Sequence, residues 1–163
     1  MSDVGWRIKV GHDKYRVIFA KLFRSKEKDA AKREEMFLTY VRDLYGHHDG
    51  EEREVFPAMI KVPEFRETCY ELEMEHRAMK MLALELTELG YDHKTWVYRL
   101  APLYAIHSIH WDKEEKFLIP FSPEHFTQEQ IEDLGAKFDT VVAKYNEMGL
   151  QEFKAEYLRP KPK

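Results

Sequence analysis

GHHDGEEREVFPAM, residues Gly46–Met59, decides how the chain is read. Taken alone it looks like a solvated polar run, because histidines and glutamates outnumber apolar residues. The flanks change that. Phe37, Tyr40 and Leu44 lead in and Val55 and Ala58 lead out at steps of three and four, which places His47 and Glu51 on the inward face of a helix over roughly 29–60.

The same count recovers four further stripes. His12, Tyr15, Phe19 and Leu22 form the first. Phe65, Cys69, Leu72, His76, Met79, Ala83 and Leu86 form the third, which starts after Pro63 and stops at Gly90. Trp96, Leu100, Leu103, His107, His110, Glu114 and Phe117 form the fourth, with Pro102 expected to kink it or shorten its start. Ile131, Leu134, Phe138, Val141, Tyr145 and Met148 form the fifth, opened by a Thr127/Gln130 capping box and bearing no histidine or carboxylate on its inner face. Connections are short and no alternating strand pattern competes. The expected fold is all-α: an antiparallel four-helix bundle with an extra C-terminal helix. One domain over residues 1–150 is expected, followed by a frayed tail over 151–163 that ends in Arg-Pro-Lys-Pro-Lys.

Composition removes several function classes. Charged residues make up 34% and hydrophobic ones 44%, as in an ordinary globular protein. A net charge of −4 with Lys and Arg spread along the chain offers no basic stripe for nucleic acid. No apolar run approaches the ~20 residues of a membrane helix, and the N-terminus carries no signal-peptide pattern. The lone Cys69 cannot form an internal disulfide, so a cytoplasmic setting is expected.

An internal repeat carries the chemistry. The run from His47 to Pro57 overlays the run from His110 to Pro120 as His-x-Asp-x-Glu-Glu-x-x-x-apolar-Pro, 63 residues apart. The shared proline pairs His47, rather than His48, with Glu51. On a helix each copy then presents an imidazole and a carboxylate in one direction. His12 and His76 lie on the inward stripes of the other two bundle helices, so four helices each supply an imidazole and two supply a carboxylate. A histidine on an apolar stripe is commonly a hydrogen-bonded core residue, and a glutamate run commonly a solvated face. Glu51 and Glu114 at core positions tip the balance, since an unpaired buried carboxylate costs several kcal/mol and a bound cation removes that cost. Imidazole and carboxylate without thiolate favour iron, manganese or zinc over copper(I) or an iron–sulfur cluster. Six protein ligands leave two octahedral ions with open positions.

His12, His47-x-x-x-Glu51, Glu75-His76 and His110-x-x-x-Glu114-Glu115, with their trailing Phe-Pro and Ile-Pro, resemble the hemerythrin-like, or HHE cation-binding, family over roughly residues 10–120. The resemblance implies two iron ions with an oxo or hydroxo bridge, zinc or manganese being substitutes. It implies His12, His47, His76 and His110 as ligands and Glu51 and Glu114 as bridges. The chain departs from the oxygen carriers of that family in two places. Leu72 and Lys80 flank His76 where those have His-x-x-x-His, and the last motif is His-x-x-x-Glu rather than His-x-x-x-x-Asp. Both departures resemble the prokaryotic branch and weigh against simple oxygen carriage.

Two histidines stay open at this level. His48 is either a fifth imidazole ligand, as in some relatives, or a solvated residue about 100° from His47 on the helix. His107, one turn before His110, is a ligand, a proton-transferring catalytic group beside the open site, or a core histidine. Glu52 and Glu115 step off the inner face toward solvent or hydrogen-bonding roles. Tyr15, Tyr40 and Tyr104 are expected to pack, with donation to ligands as their alternative, and His93 and His125 to be exposed. Glu73-x-x-His76 matches half of a ferritin-like motif whose second half is absent.

Two functions compete. One is binding or sensing of dioxygen or nitric oxide in an apolar pocket near Leu72 and Leu103; the other is enzymatic decomposition of peroxide or a similar small oxidant, with His107 moving protons. Iron storage lacks a mineral cavity, and a metal-stabilised interaction domain lacks a recognisable switch segment. A redox or signalling partner would act in trans.

Overall fold

The computed structural model describes residues 3–120 and 122–158, and the terminal Arg-Pro-Lys-Pro-Lys lies outside them. Helix α1 spans Val4–Leu22 and opens with Asp3, whose side chain accepts the Trp6 N–H at 2.7 Å. Helix α2, Ala30–Gly50, runs on through a π-helical turn, Glu51–Val55, into α3, Phe56–Met59. Helix α4, Arg66–Leu89, stops at Gly90, whose φ of +87° suits a residue without a Cβ. Helix α5, Trp96–Lys113, runs through a second π-helical turn, Glu114–Leu118. α6 is the short Ser122–His125, α7 spans Gln128–Asn146 and α8 spans Leu150–Tyr157. Among the described residues there is no strand. The bundle is α1, the α2–α3 rod, α4 and α5.

The histidine layer separates two apolar clusters. Phe19, Leu22, Phe37, Leu86 and Trp96 belong to one; Ile8, Val55, Phe56, Leu72 and Leu118 belong to the other. Each rod thus changes from apolar to polar and back, and the polar residues are left in a buried slab. The end of the first cluster is closed by Arg33, buried to 1% exposure. Its guanidinium donates to the carbonyls of Ser25 and Tyr91 at 3.0 and 2.5 Å, joining the α1–α2 loop to the α4–α5 loop.

Two inward stripes run one residue out of step with the expected period. Met59 is buried where Ala58 was expected, and Leu118 is buried while Phe117 is 54% exposed. Each rod has a π-helical turn at this point that takes in one extra residue, so that Phe56 and Ile119, five positions after Glu51 and Glu114, pack on the second cluster. α5 continues through Pro102, whose ring lies on the exposed side, so the missing hydrogen bond falls on the solvent face.

The Thr127/Gln130 capping box forms, with the Thr127 N–H donating to Gln130 Oε1 at 2.8 Å. α7 lies along α2 and also meets α1. It comes so close to α2 that a Cβ on Gly50 would stand 2.7 Å from the Phe138 ring. The segment expected to fray from Leu150 instead forms α8. Its Phe153 is fully buried, and with Leu158 it joins the first cluster, so apolar burial offsets the entropy of ordering it.

Candidate metal centre

Six side chains from the four bundle rods meet in the buried slab. His12 comes from α1, His47 from α2, His76 from α4 and His110 from α5, while Glu51 and Glu114 are the first residues of the two π-helical turns. His12, His47, Glu51 and Glu114 offer ligand atoms that all lie within 4.8 Å of one another, and so do Glu51, His76, His110 and Glu114. Both carboxylates are common to the two sets. Glu51 has Oε1 at 3.1 Å from His47 Nε2 and Oε2 at 3.4 Å from His76 Nε2; Glu114 has Oε2 at 3.0 Å from His12 Nε2 and 3.4 Å from His110 Nε2. Each carboxylate therefore spans the two sets.

Three of the imidazoles are held from behind. His12 Nδ1 meets Glu115 Oε1 at 2.9 Å, His76 Nδ1 meets Glu52 Oε1 at 2.8 Å and His110 Nδ1 meets Glu75 Oε2 at 3.0 Å. An ionised carboxylate only accepts, so each Nδ1 carries the proton and each Nε2 presents a lone pair to the centre. Each supporting glutamate is itself paired: Glu115 with Arg16 at 2.7 Å, Glu52 with Lys80 at 3.4 Å and Glu75 with Lys113 at 2.6 Å. Burial tends to raise Glu115 and Glu75, but the cations and histidines beside them hold both below the usual carboxylate range. Such carboxylate–histidine pairs orient metal ligands and raise their basicity.

The inner atoms fit cations and fit little else. His76 Nε2 and His110 Nε2 are 3.2 Å apart, two lone pairs facing each other once both Nδ1 atoms carry the protons. Among the described residues, nine buried side-chain polar atoms have no hydrogen-bond partner, and eight of them belong to His12, His47, His48, Glu51, His107 and Glu114. Each such atom costs about 1–3 kcal/mol if left unsatisfied, so their convergence calls for a partner with several positive coordination positions. Burial pushes His47 down to about 4 and His76 to about 3, which keeps both neutral and able to ligate at neutral pH. Burial, and for Glu114 also the proximity of Glu51, raises both inner carboxyls in the metal-free protein.

His48 is not solvated. It is buried to 1% exposure, stacks on His76 with ring centroids 3.6 Å apart, and can offer a ligand atom together with His76 and His110. His107 falls outside the three ligand groups. Its Nε2 is paired with the Tyr40 hydroxyl, its Nδ1 has no partner, and its ring lies 4.9 Å from that of Trp111. Burial first, then His110, His12, His76 and His47 around it, hold it well below its ordinary pKa. Cys69 lies in the second apolar cluster and belongs to none of the ligand groups. His93 bonds Thr95 and His125 pairs with Glu64, both away from the centre.

Glu52 and Glu115 take the hydrogen-bonding role allowed for them. Glu75 was visible only as the neighbour of His76, and the cations Arg16, Lys80 and Lys113 carried no signal beyond lying three or four residues from a histidine. His47 is held by close packing. A Cβ on Gly11 would stand 2.8 Å from its ring, and Phe138 meets the ring edge-on at 5.3 Å. A cleft of about 330 Å³ between α1, α2 and α7, lined by Trp6, Gly11, Tyr15, His47 and Phe138 among others, reaches this imidazole from solvent. Gly11→Ala should lower metal affinity about 10-fold in a chelator competition by displacing His47. Alanine favours the helix by about 1 kcal/mol, so a weaker α1 would not explain that loss.

A sequence profile of the hemerythrin HHE cation-binding domain matches residues 6–122. The match ends before α7 and α8. Neither the curated proteins nor the solved structures compared with the chain produced a match.

Proposed function

Since the chain belongs to the hemerythrin HHE cation-binding family, we propose that it holds two iron ions and reacts there with dioxygen or a related small oxidant, peroxide or nitric oxide. His12 and His47 would hold one ion, His76, His110 and His48 the other, with Glu51 and Glu114 shared between them. The observation that carries this reading is the set of unpartnered imidazole and carboxylate atoms in one dry layer. The nitrogen and oxygen donors suit iron, and would also accept zinc or manganese. A bound metal pair supplies open coordination positions and one-electron changes.

The protein's own residues do the rest. Glu52, Glu75 and Glu115 keep the Nδ1 protons in place, so the Nε2 lone pairs stay directed inward. Buried Leu72 and Leu103 exclude water from the layer and suit a small neutral ligand. With three histidines in one set and two in the other, the His12/His47 set has fewer protein donors, and its His47 borders the cleft. That end suits an incoming oxidant. A cytoplasmic setting agrees with the buried, unpaired Cys69, and among the described residues no helix is long and apolar enough to cross a membrane. Neither nucleic acid nor a membrane is a partner in this reading.

The unpartnered Nδ1 of His107 favours a second, enzymatic version: decomposition of peroxide to water and dioxygen, with His107 and Tyr40 accepting and returning the proton. Iron per chain and the visible spectrum under argon, air and peroxide test both versions. A stable oxygenated spectrum that reverses under argon supports binding. Rapid oxygen evolution supports catalysis, and His107→Ala should then keep two irons per chain and lose about 100-fold in rate. Unchanged turnover in that variant would remove His107 from the chemistry, and a wild-type protein that takes up no metal would end both versions.

A further inference from the structure

The repeat contains a residue that metal binding has not used: the proline six positions after each inward glutamate. Glu51 opens a π-helical turn closed by the Phe56 N–H on the Glu51 carbonyl, and Pro57 follows. Glu114 opens the other, closed by the Ile119 N–H on the Glu114 carbonyl at 2.8 Å, and Pro120 follows. The two turns match position for position.

Each turn reconciles two registers. Up to the glutamate, the inward residues are those that reach the metal layer, His47 with Glu51 and His110 with Glu114. Beyond it, the residue five positions after each glutamate faces the second apolar cluster, Phe56 buried in it and Ile119 packed against it, whereas an uninterrupted α-helix would set that position about 140° from the glutamate. A regular helix would satisfy only one side. With the apolar residues kept inside, the glutamate would turn by about 100° out of the layer; with the glutamate kept inside, Phe56 and Ile119 would turn away from the second cluster.

Proline biases this choice in one direction. It has no N–H to donate, and in α-geometry its ring meets the carbonyl four residues back, here Arg53 and Lys116. A wider turn moves that carbonyl aside, and Pro57 then stands in the first turn of α3, where no N–H is needed. We propose that Pro57 and Pro120 are positioning residues: they keep the two turns π-helical and so hold Glu51 and Glu114 in the metal layer. Neither proline touches the ions. This rests on the metal-binding reading above.

The test compares Pro57→Ala, Pro120→Ala and the double variant with the wild-type full chain, using iron(II) or zinc with a competing chelator for affinity and stoichiometry, and thermal melting of the metal-free forms. Each single variant should bind metal at least 10-fold more weakly and the double variant more weakly still, while the metal-free melting temperature stays level or rises, because alanine is the better helix former. A merely structural proline would show the opposite pattern. Wild-type affinity in the double variant, or a metal-free melting temperature that falls in all three, including failure to fold, would overturn the proposal. Should the wild type bind no ion, the metal reading fails and this one with it; should the wild type bind two and the variants match it, only the positioning role is lost.

Discussion

Glu51→Gln is expected to reduce the metal content to at most one ion per chain while making the metal-free protein more stable. The two effects have opposite signs because one carboxylate serves two states. Glu51 stands 3.1 Å from His47 Nε2 and 3.4 Å from His76 Nε2, within reach of both sets, and a neutral amide of the same shape would be a poor replacement for an anion shared between two ions. Loss of an outer hydrogen-bonding partner typically costs about 10–100-fold in affinity; loss of a shared ligand should cost at least ~100-fold. Without ions, the same carboxyl is fully buried, both of its oxygens lack a hydrogen-bond partner, and burial raises its pKa. An amide can donate to His47 Nε2, a gain of about 1 kcal/mol, or ~2–4 °C in melting temperature. Metal analysis and melting of both forms read the two signs separately. A glutamine variant that still held two ions at wild-type affinity would show that Glu51 is not shared.

Removal of the metal from the wild type should lower its melting temperature by ~5–15 °C. Ligation of the folded state stabilises it by about 2.7 kcal/mol at one hundred times Kd and about 4.1 at one thousand times, and a domain of this size moves by ~2–4 °C per kcal/mol. The loss should reverse on adding metal back. It should be smaller in Glu51→Gln, which holds at most one ion to lose. Equal melting temperatures with and without chelator would mean that the histidine–glutamate layer satisfies itself, and the lone-pair contact of His76 with His110 would then need a proton between the two rings.

Much of this arrangement is legible in a single sequence because it is local. The three-and-four spacing of His12, His47, His76 and His110 among apolar residues assigns them to inward faces, and the repeated His-x-x-x-Glu aligns each carboxylate with an imidazole on its own helix. The π-helical turns were missed although their marker was in view. Pro57 and Pro120 set the register of the repeat, and the same residues mark the turns before them, because a proline ring crowds the carbonyl four residues back. α8 was missed because its amphipathic stripe is short and its partners lie on α2, far away in the chain.

Periodicity along single helices is enough to make the elements helical and to set His12, His47, His76, His110, Glu51 and Glu114 on inward faces, but not to bury His48, Met59 or Leu118. Tertiary structure alone decided the rest. It set Glu52 behind His76, Glu75 behind His110 and Glu115 behind His12; it buried His48 against His76 and turned His107 to Tyr40 instead of the ligand groups. It also brought Phe138, beyond the family domain, against His47. The physical reason is that these pairings join different helices, whose rotation and axial stagger are set by how the apolar clusters above and below the layer pack.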